Sequence, residues 1–327
     1  MRHRWLVLGV VLVTGAANAR AIEGHTPRSA HAQPAEGQET APLPLKRHPT
    51  VALTFDDLPA AGGLPQNDTR AGIAGRLAAE LKAGHLKGIY GFVIGEDLDD
   101  DPDSQQALRI WTGAGMNLGN HTWSHASLDS ESAAAYEHEI AQDEAVLRQY
   151  SRQDNWRWFR YPYLEQGNTL KKRNEVRDWL EARGYRVAQV TLTFQDDDWS
   201  DPYNRCLAKH DDAGISWLAQ SYLENAAEFI RLGREEEQIA FGHEIPNVLL
   251  LHATAFTTLM LPRLLDLLRR EGFRFAPLSK VERNRAYSLD PEAATDGPLT
   301  NQFLNARHLR YPPFTPEPSA ELNSICQ

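Results

Sequence analysis

The chain has 327 residues, of which 42% are hydrophobic and 24% are charged. This composition is typical of folded globular proteins, and it argues against disordered, collagen-like and polytopic membrane proteins. A formal net charge of -10 argues against nucleic acid or an anionic membrane surface as the partner. Two cysteines, Cys206 and Cys326, are too few for a disulfide-rich scaffold or a multi-cysteine zinc module. In an oxidising compartment they could form one disulfide.

The first 19 residues have the layout of a secretory signal. Two arginines precede an apolar run over residues 5–13, and small residues follow up to Ala17-Asn18-Ala19. We expect cleavage before Arg20, which would place the mature protein in the periplasm or outside the cell. A retained N-terminal anchor is the alternative, but the run is shorter than the roughly 20 residues that span a bilayer. We therefore expect no stable membrane span after cleavage.

The rest of the chain divides into three parts by composition. Residues 20–46 are rich in Ala, Pro, Gln and Gly without a hydrophobic period, which indicates a linker. Residues 47–287 carry the periodic apolar pattern of one compact domain. Residues 288–327 are proline-rich and aperiodic, so we expect a C-terminal tail that wraps the domain surface or stays loose.

Short apolar runs alternate with helical periodicity throughout the domain. The predicted strands cover residues 51–55, 88–94, 116–118, 158–161, 187–194, 247–251 and 273–275. The predicted helices cover residues 69–83, 104–112, 130–150, 169–183, 215–232 and 257–270, with Gly184, Gly233 and Gly272 as expected C-caps. This alternation predicts an α/β fold in which helices cover a parallel sheet or barrel.

Reactive side chains follow five of the predicted strands. Because catalytic groups in α/β folds lie at the carboxyl ends of the strands, we expect these side chains to share one face. They belong to the segments Thr54-Phe55-Asp56-Asp57, Gly119-Asn120-His121-Thr122-Trp123-Ser124-His125, Arg160-Tyr161-Pro162-Tyr163, Asp196-Asp197-Asp198-Trp199 and His252.

Two of these segments indicate a metal site. His121 and His125 are four residues apart, and one carboxylate would complete a two-histidine, one-carboxylate triad for zinc. By itself the pair is weak evidence, because 12 histidines in the chain give about 0.4 such pairs by chance, and two surface histidines are the alternative. Asp56 and Asp57 strengthen the hypothesis, since adjacent carboxylates repel unless a cation or arginine is near. One could bind the metal while the other acts as a base.

The five segments in this order resemble the polysaccharide deacetylases with a NodB-homology domain, which form carbohydrate esterase family 4. The resemblance covers roughly residues 50–275. It implies a distorted (β/α) barrel with fewer than eight regular strands. It also implies metal-dependent hydrolysis of N-acetyl or O-acetyl groups on carbohydrates.

The resemblance also assigns roles to individual residues. Asp57, His121 and His125 look like the metal ligands, Asp56 like the general base and Arg160 like the arginine that orients it. The backbone N–H of Tyr163 resembles the second oxyanion donor, beside the metal. Asp198, selected over its two aspartate neighbours by Trp199, looks like the partner of the catalytic imidazole. Trp199 looks like the apolar wall beside that imidazole, and His252 like the general acid.

The sequence thus predicts an exported, metal-dependent carbohydrate deacetylase that removes N-acetyl groups from envelope or extracellular glycans. Zinc is the expected metal, with cobalt or another divalent ion as alternatives, and an acetylated glycan is the expected partner. The alternatives are an O-acetyl carbohydrate esterase, a hydrolase of non-sugar amides with the same machinery, and a catalytically silent glycan-binding protein.

Two further acidic or imidazole features have undecided roles. The run from Glu96 to Asp103 predicts a solvated loop at the edge of the site rather than a calcium loop, because it lacks the spacing of an EF-hand. His243 precedes the strand that ends at His252, and it could reach the pocket.

Overall fold

The computed structural model describes residues 48–151, 155–315 and 317–327. The predicted signal and linker, together with the first residue of the predicted domain, lie outside the described residues. The sequence-based interpretation of that N-terminal part therefore stays a prediction.

Parallel strands form the centre of the described domain. Their bounds are Thr50–Leu58 (β1), Tyr90–Val93 (β2), Asn117–Asn120 (β3), Trp158–Phe159 (β4), Arg186–Val187 (β5), Asn247–His252 (β6) and Arg274–Phe275 (β7). The strand order is β5-β4-β3-β2-β1-β6, and β7 pairs with the beginning of β1. β1, β2 and β6 are buried along nearly their whole length, as strands of a parallel sheet covered on both faces must be.

The segment after β5 brings the two ends of this sheet together. The predicted strand over residues 187–194 is divided, because its start pairs with β4 whereas Leu192 forms a bridge to Leu249 in β6. The backbone N–H of Thr191 also donates to the carbonyl oxygen of Val248 at 3.1 Å. The run therefore spans from one edge of the sheet to the other. This confirms the expected distorted barrel with fewer than eight regular strands.

Helices surround this barrel. Their bounds are Arg70–Ala83 (α1), Pro102–Gly113 (α2), Ala133–Tyr150 (α3), Leu170–Ala182 (α4), Ser200–Ala208 (α5), Asp212–Phe241 (α6), Ala255–Arg270 (α7), Leu278–Val281 (α8), Leu299–Ala306 (α9) and Ser319–Ser324 (α10). All six predicted helices are present. Five of them have an N-cap side-chain oxygen from a residue type that favours this position, namely Thr69, Ser132, Thr169, Asp211 and Thr254. None of the helices in the described ranges has the length and apolar character needed to cross a bilayer.

The helix α6 corrects the prediction that Gly233 ends a helix. α6 continues to Phe241, and its C-cap is Gly242, which has a φ of 76°. A Cβ atom on Gly233 would lie 2.3 Å from Cδ2 of Leu192. Gly233 is therefore required by close packing of the helix on the segment that closes the barrel, and it does not terminate the helix.

Two carboxylates in the acidic run 96–103 cap neighbouring helices. The side chain of Asp101 accepts a hydrogen bond from the backbone N–H of Asp103 at 3.0 Å, at the start of α2. The carboxylate of Asp103 in turn accepts from the backbone N–H groups of Arg70 and Ala71, at 2.7 and 3.2 Å, in the first turn of α1. These contacts fix the two helices against each other, and they give part of the run a structural role.

The C-terminal region packs on the domain. In α9, Phe303 and Leu304 are buried in a cluster with Ala240 of α6. Near the C-terminus, Cys326 forms a disulfide with Cys206 of α5. Most of the predicted tail is therefore part of the folded unit, because it buries apolar side chains and carries a covalent cross-link.

The disulfide should contribute measurably to stability, because it joins residues 120 positions apart and so removes conformational freedom from the unfolded chain. The substitution Cys326→Ser should lower the free energy of unfolding by about 2–4 kcal/mol. Urea denaturation of the oxidised protein measures this change. A reductant should lower the midpoint of the wild-type protein and leave that of Cys326→Ser unchanged, and equal midpoints for the two oxidised proteins would contradict the prediction.

Candidate active site

Two adjacent aspartates reach the mouth of the barrel at the end of β1. Neighbouring side chains on a regular strand point to opposite faces. Here the register of β1 against β2 shifts between Phe55 and Leu58, and Asp57 has a φ of 59°. Asp56 stays in register with His252 on the neighbouring strand β6. This local irregularity brings both carboxylates to one site.

Asp57 lies beside the two predicted histidine ligands. Its Oδ1 atom is 3.3 Å from Nε2 of His121 and 3.4 Å from Nε2 of His125. Ligand atoms about 2.0–2.2 Å from a tetrahedral zinc ion are separated by roughly 3.3–3.6 Å, so the donor atoms have suitable spacing. Oδ1 of Asp57 is also buried without a hydrogen-bond partner, which a bound cation would compensate. The structure thus brings the three predicted ligands together as a candidate metal site.

The protonation states of these groups suit metal binding. Nδ1 of His121 lies 2.8 Å from the carbonyl oxygen of Arg160, which can only accept, so Nδ1 carries the proton and Nε2 is the free donor atom. Burial lowers the pKa of His125 to about 4, so its ring is neutral at neutral pH. Burial raises the pKa of Asp57, but the contact with His121 and the nearby histidine charges outweigh this effect and hold the pKa well below its usual range.

The second carboxylate, Asp56, is held by Arg160 as predicted. Nη1 of Arg160 donates to both carboxylate oxygens, at 3.2 and 3.1 Å. Nη2 donates to Thr54 at 3.1 Å, and Nε donates to the carbonyl oxygen of Ala188 at 2.8 Å. Asp56 and Arg160 are both almost fully buried, at 2% and 1% exposure. Asp56 therefore has a fixed orientation, with Oδ2 3.9 Å from Nε2 of His121.

The partner of His252 is Asp196, and the prediction of Asp198 is wrong. Nδ1 of His252 lies 2.9 Å from Oδ1 of Asp196, and the backbone N–H of His252 donates to Oδ2 of the same carboxylate at 3.0 Å. Asp197 is a second neighbour, with Oδ1 3.2 Å from Nδ1. Asp198 instead interacts with Glu317, and burial raises the pKa of both of these carboxyl groups.

The local backbone explains this correction. Asp196–Trp199 forms a 3-10 turn, in which successive side chains point about 120° apart, so the three aspartates cannot all face β6. Trp199 is fully buried, and its Nε1 donates to Ser221 at 2.9 Å. It packs in the core with its ring centroid 5.7 Å from that of Tyr222. No local signal separates three adjacent aspartates, since the choice depends on the orientation of the turn.

Tyr163 lies beside the metal ligands, in the turn that follows β4. Its ring centroid is 4.4 Å from that of His125, and its side chain is 63% exposed. Tyr163 and Leu164 both have a φ of 57°. Such left-handed conformations cost about 1–3 kcal/mol each in residues other than glycine, and they concentrate at functional sites.

His243 lies outside this arrangement. It follows α6 at the amino end of β6, whereas His252 lies at the carboxyl end. Its side chain is exposed, and Nδ1 contacts the carbonyl oxygen of Phe241 at 3.0 Å. His243 is therefore separated from the candidate site by the length of a strand.

Comparison with known proteins identifies the family. The family model described as polysaccharide deacetylase matches residues 45–188, which include the aspartate pair, both histidine ligands, the arginine and Tyr163. Residues 45–188 belong to the polysaccharide deacetylase family. No curated protein matches the chain.

Several solved structures are similar to this chain. They include a carbohydrate esterase family 4 pseudoenzyme from Bacillus anthracis, with 17% identity over 71% of this chain and 64% of that chain and a TM-score of 0.49. A family 4 carbohydrate esterase from Streptomyces lividans has 19% identity over 70% of this chain and 92% of that chain, with a TM-score of 0.45. A polysaccharide deacetylase from Bacillus cereus has 20% identity over 70% of this chain and 91% of that chain, with a TM-score of 0.48. The chain thus spans less than two thirds of the pseudoenzyme, and the family assignment depends on the sequence match.

The electrostatics of the candidate site favour a charged His252. Burial by itself would lower the pKa of this imidazole. The charge and hydrogen bond of Asp196, followed by the charges of Asp197 and Asp57, outweigh burial and raise the pKa to about 10. The ring can therefore carry a proton at neutral pH.

Removal of a candidate metal ligand should abolish tight metal binding by the protein. His125→Ala should weaken zinc binding by more than about 100-fold, since residues that only support ligands already contribute about 10–100-fold. Asp56→Asn should bind zinc within about tenfold of the wild type, because Arg160 and not the metal holds this side chain. Isothermal titration of the metal-free protein with zinc chloride measures both affinities. Equal affinities for His125→Ala and the wild type would exclude this site.

The assignment of Asp196 can be tested with its neighbour as a control. Asp196→Asn removes the charge that stabilises the imidazolium, so the pKa of His252 should fall by at least about one unit, equivalent to 1.36 kcal/mol per unit. Asp198→Asn should leave that pKa nearly unchanged. Titration of the His252 ring protons by NMR, before zinc is added, measures both shifts. A larger shift in Asp198→Asn would restore the original assignment.

Proposed function

We propose that this protein is an exported, zinc-dependent deacetylase that hydrolyses N-acetyl groups of envelope or extracellular glycans. The observation that carries the proposal is the register of Asp56 with His252 on adjacent strands, next to the Asp57, His121 and His125 donor set. A base, an acid and a candidate metal site thus occupy one end of the barrel. The proposal of export depends on the signal-like layout of residues 1–19.

The three donors match a catalytic rather than a structural metal site. Catalytic zinc sites use three protein ligands and leave a fourth position open. A zinc ion bound here would lower the pKa of a coordinated water toward about 7 and would polarise the acetyl carbonyl. Cobalt or another divalent ion would supply the same chemistry.

Asp56 is the proposed general base. Hydrogen bonds from the Arg160 guanidinium to both carboxylate oxygens hold its plane. The carboxylate can therefore accept a proton from the attacking water without rearranging. A base positioned in this way contributes about 10²–10⁴-fold to a hydrolysis rate.

His252 is the proposed general acid for the leaving amine. Its Nδ1 atom is engaged by Asp196, so Nε2 is the nitrogen that can deliver a proton. Amines leave poorly unless they are protonated, and the raised pKa of His252 keeps its acidic form populated. This feature favours N-acetyl substrates.

The exposed ring of Tyr163 supports a sugar substrate. It lies directly beside His125 and is accessible at the mouth of the site. An aromatic face of this kind combines apolar contact area with a polar edge, which suits the C–H face of a pyranose ring. Its backbone N–H is the proposed second donor to the developing oxyanion.

The proposed activity is tested by acetate release from N-acetylglucosamine oligomers, peptidoglycan, O-acetylated xylan and a non-sugar N-acetyl amide. With zinc added, the N-acetyl glycans should release acetate, and a chelator should abolish the release. Asp56→Asn and His252→Ala should each lower kcat by about 10²–10⁴-fold, because each removes a proton-transfer group. Both variants should keep their zinc.

The other outcomes identify the alternatives. Release from O-acetylated xylan alone would show an esterase, and release from the non-sugar amide alone would show a different amidase. Glycan binding without any acetate release would show a catalytically silent glycan-binding protein. Near-normal turnover by zinc-loaded Asp56→Asn would exclude Asp56 as the base.

A further inference from the structure

A C-terminal segment, residues 290–302, bonds to the turn that carries Tyr163. The backbone N–H of Gly297 donates to the carbonyl oxygen of Leu164 at 3.1 Å. The carboxylate of Asp296 accepts from the backbone N–H of Gln166 at 2.7 Å. These two hydrogen bonds join the turn to a part of the chain about 130 positions away.

The turn holds two consecutive residues in a strained backbone conformation. Tyr163 and Leu164 both have a φ of 57°, and consecutive left-handed conformations are uncommon in residues other than glycine. Within the turn, the backbone N–H of Leu164 donates to Tyr161 and that of Glu165 donates to Pro162, each at 3.1 Å. Because strained backbone persists only where surrounding contacts hold it, the bonds from the C-terminal segment are part of what fixes this turn.

The C-terminal segment is itself anchored on the barrel. The backbone N–H of Leu299 donates to the carbonyl oxygen of Val190 at 2.7 Å, in the segment that closes the barrel. Nε2 of Gln302 donates to Gln189 at 3.2 Å and to the carbonyl oxygen of Gly297 at 2.9 Å. The segment therefore supplies its two hydrogen bonds from a fixed position.

We propose that Asp296 and Gly297 position the backbone N–H of Tyr163 for the developing oxyanion. The inference depends on the proposed function, in which that N–H stabilises the negative charge on the acetyl oxygen. Asp296 acts through the turn, so it is a positioning residue and touches no substrate. This role also places a determinant of catalysis outside residues 45–188, the segment that matches the family model.

Three variants of the full chain test the proposal. Asp296→Ala removes the acceptor, so kcat for an N-acetylglucosamine oligomer should fall by about 10–100-fold, less than or similar to the loss of one oxyanion donor. Zinc stoichiometry and the pH dependence of kcat should be unchanged, because the metal ligands, Asp56 and His252 are intact. Asp296→Asn keeps an acceptor oxygen and should restore kcat to within about twofold. Glu292→Ala, an exposed carboxylate of the same segment, is the matched control and should have wild-type kcat.

Hydrogen–deuterium exchange supplies a readout that does not depend on activity. Peptides covering residues 161–167 should exchange faster in Asp296→Ala than in the wild type or Asp296→Asn, while the rest of the domain is unchanged. Wild-type kcat and wild-type exchange in Asp296→Ala would overturn the proposal, and so would failure of Asp296→Asn to restore kcat. If the wild-type protein releases no acetate, the proposed function fails, and unchanged exchange in Asp296→Ala would separately overturn the positioning contact.

Discussion

The placement of two adjacent carboxylates at one site, at the end of β1, is the constraint on which the rest of the site depends. Asp56 and Asp57 would repel each other in a low-dielectric environment without positive charge nearby. The two residues meet the need for nearby positive charge differently. Arg160 neutralises Asp56, whereas Asp57 faces histidines and lacks a hydrogen bond at Oδ1. As a result, Asp56 is the proposed base held by arginine, and Asp57 is the carboxylate available to a cation.

Arg160 also connects the catalytic groups to the barrel. Its side chain bonds to β1 through Thr54 and to the closing segment through Ala188, while its carbonyl oxygen fixes the His121 ring. Loss of one partner of a buried ion pair costs about 3–5 kcal/mol, because the other charge stays desolvated. Stability of the strand ends and orientation of the proposed base are therefore coupled through one side chain.

The other parts of the site depend on segments that follow β5 in the sequence and pack around the barrel. The turn with Asp196 holds His252, and the C-terminal segment bonds to the turn with Tyr163. Both contacts depend on the closing segment after β5, which brings residues far apart in the chain to one rim. The proposed acid and the proposed oxyanion donor are thus positioned by barrel closure, whereas the candidate metal ligands lie at the ends of β1 and β3, which both pair with β2.

The sequence by itself determined the strand and helix order and a candidate metal site made of His121, His125 and one of the two adjacent aspartates. These follow from local patterns, because a strand end exposes the polar residues that come next. The choice of Asp57 as the ligand and the pairing of Asp56 with Arg160 came instead from the resemblance to the family. The tertiary structure decided that Asp196 and not Asp198 meets His252, that Gly233 packs within α6, and that residues 290–302 bond to the turn with Tyr163. Each of these depends on the orientation of a turn or on a contact between distant segments, and no local residue pattern specifies such geometry.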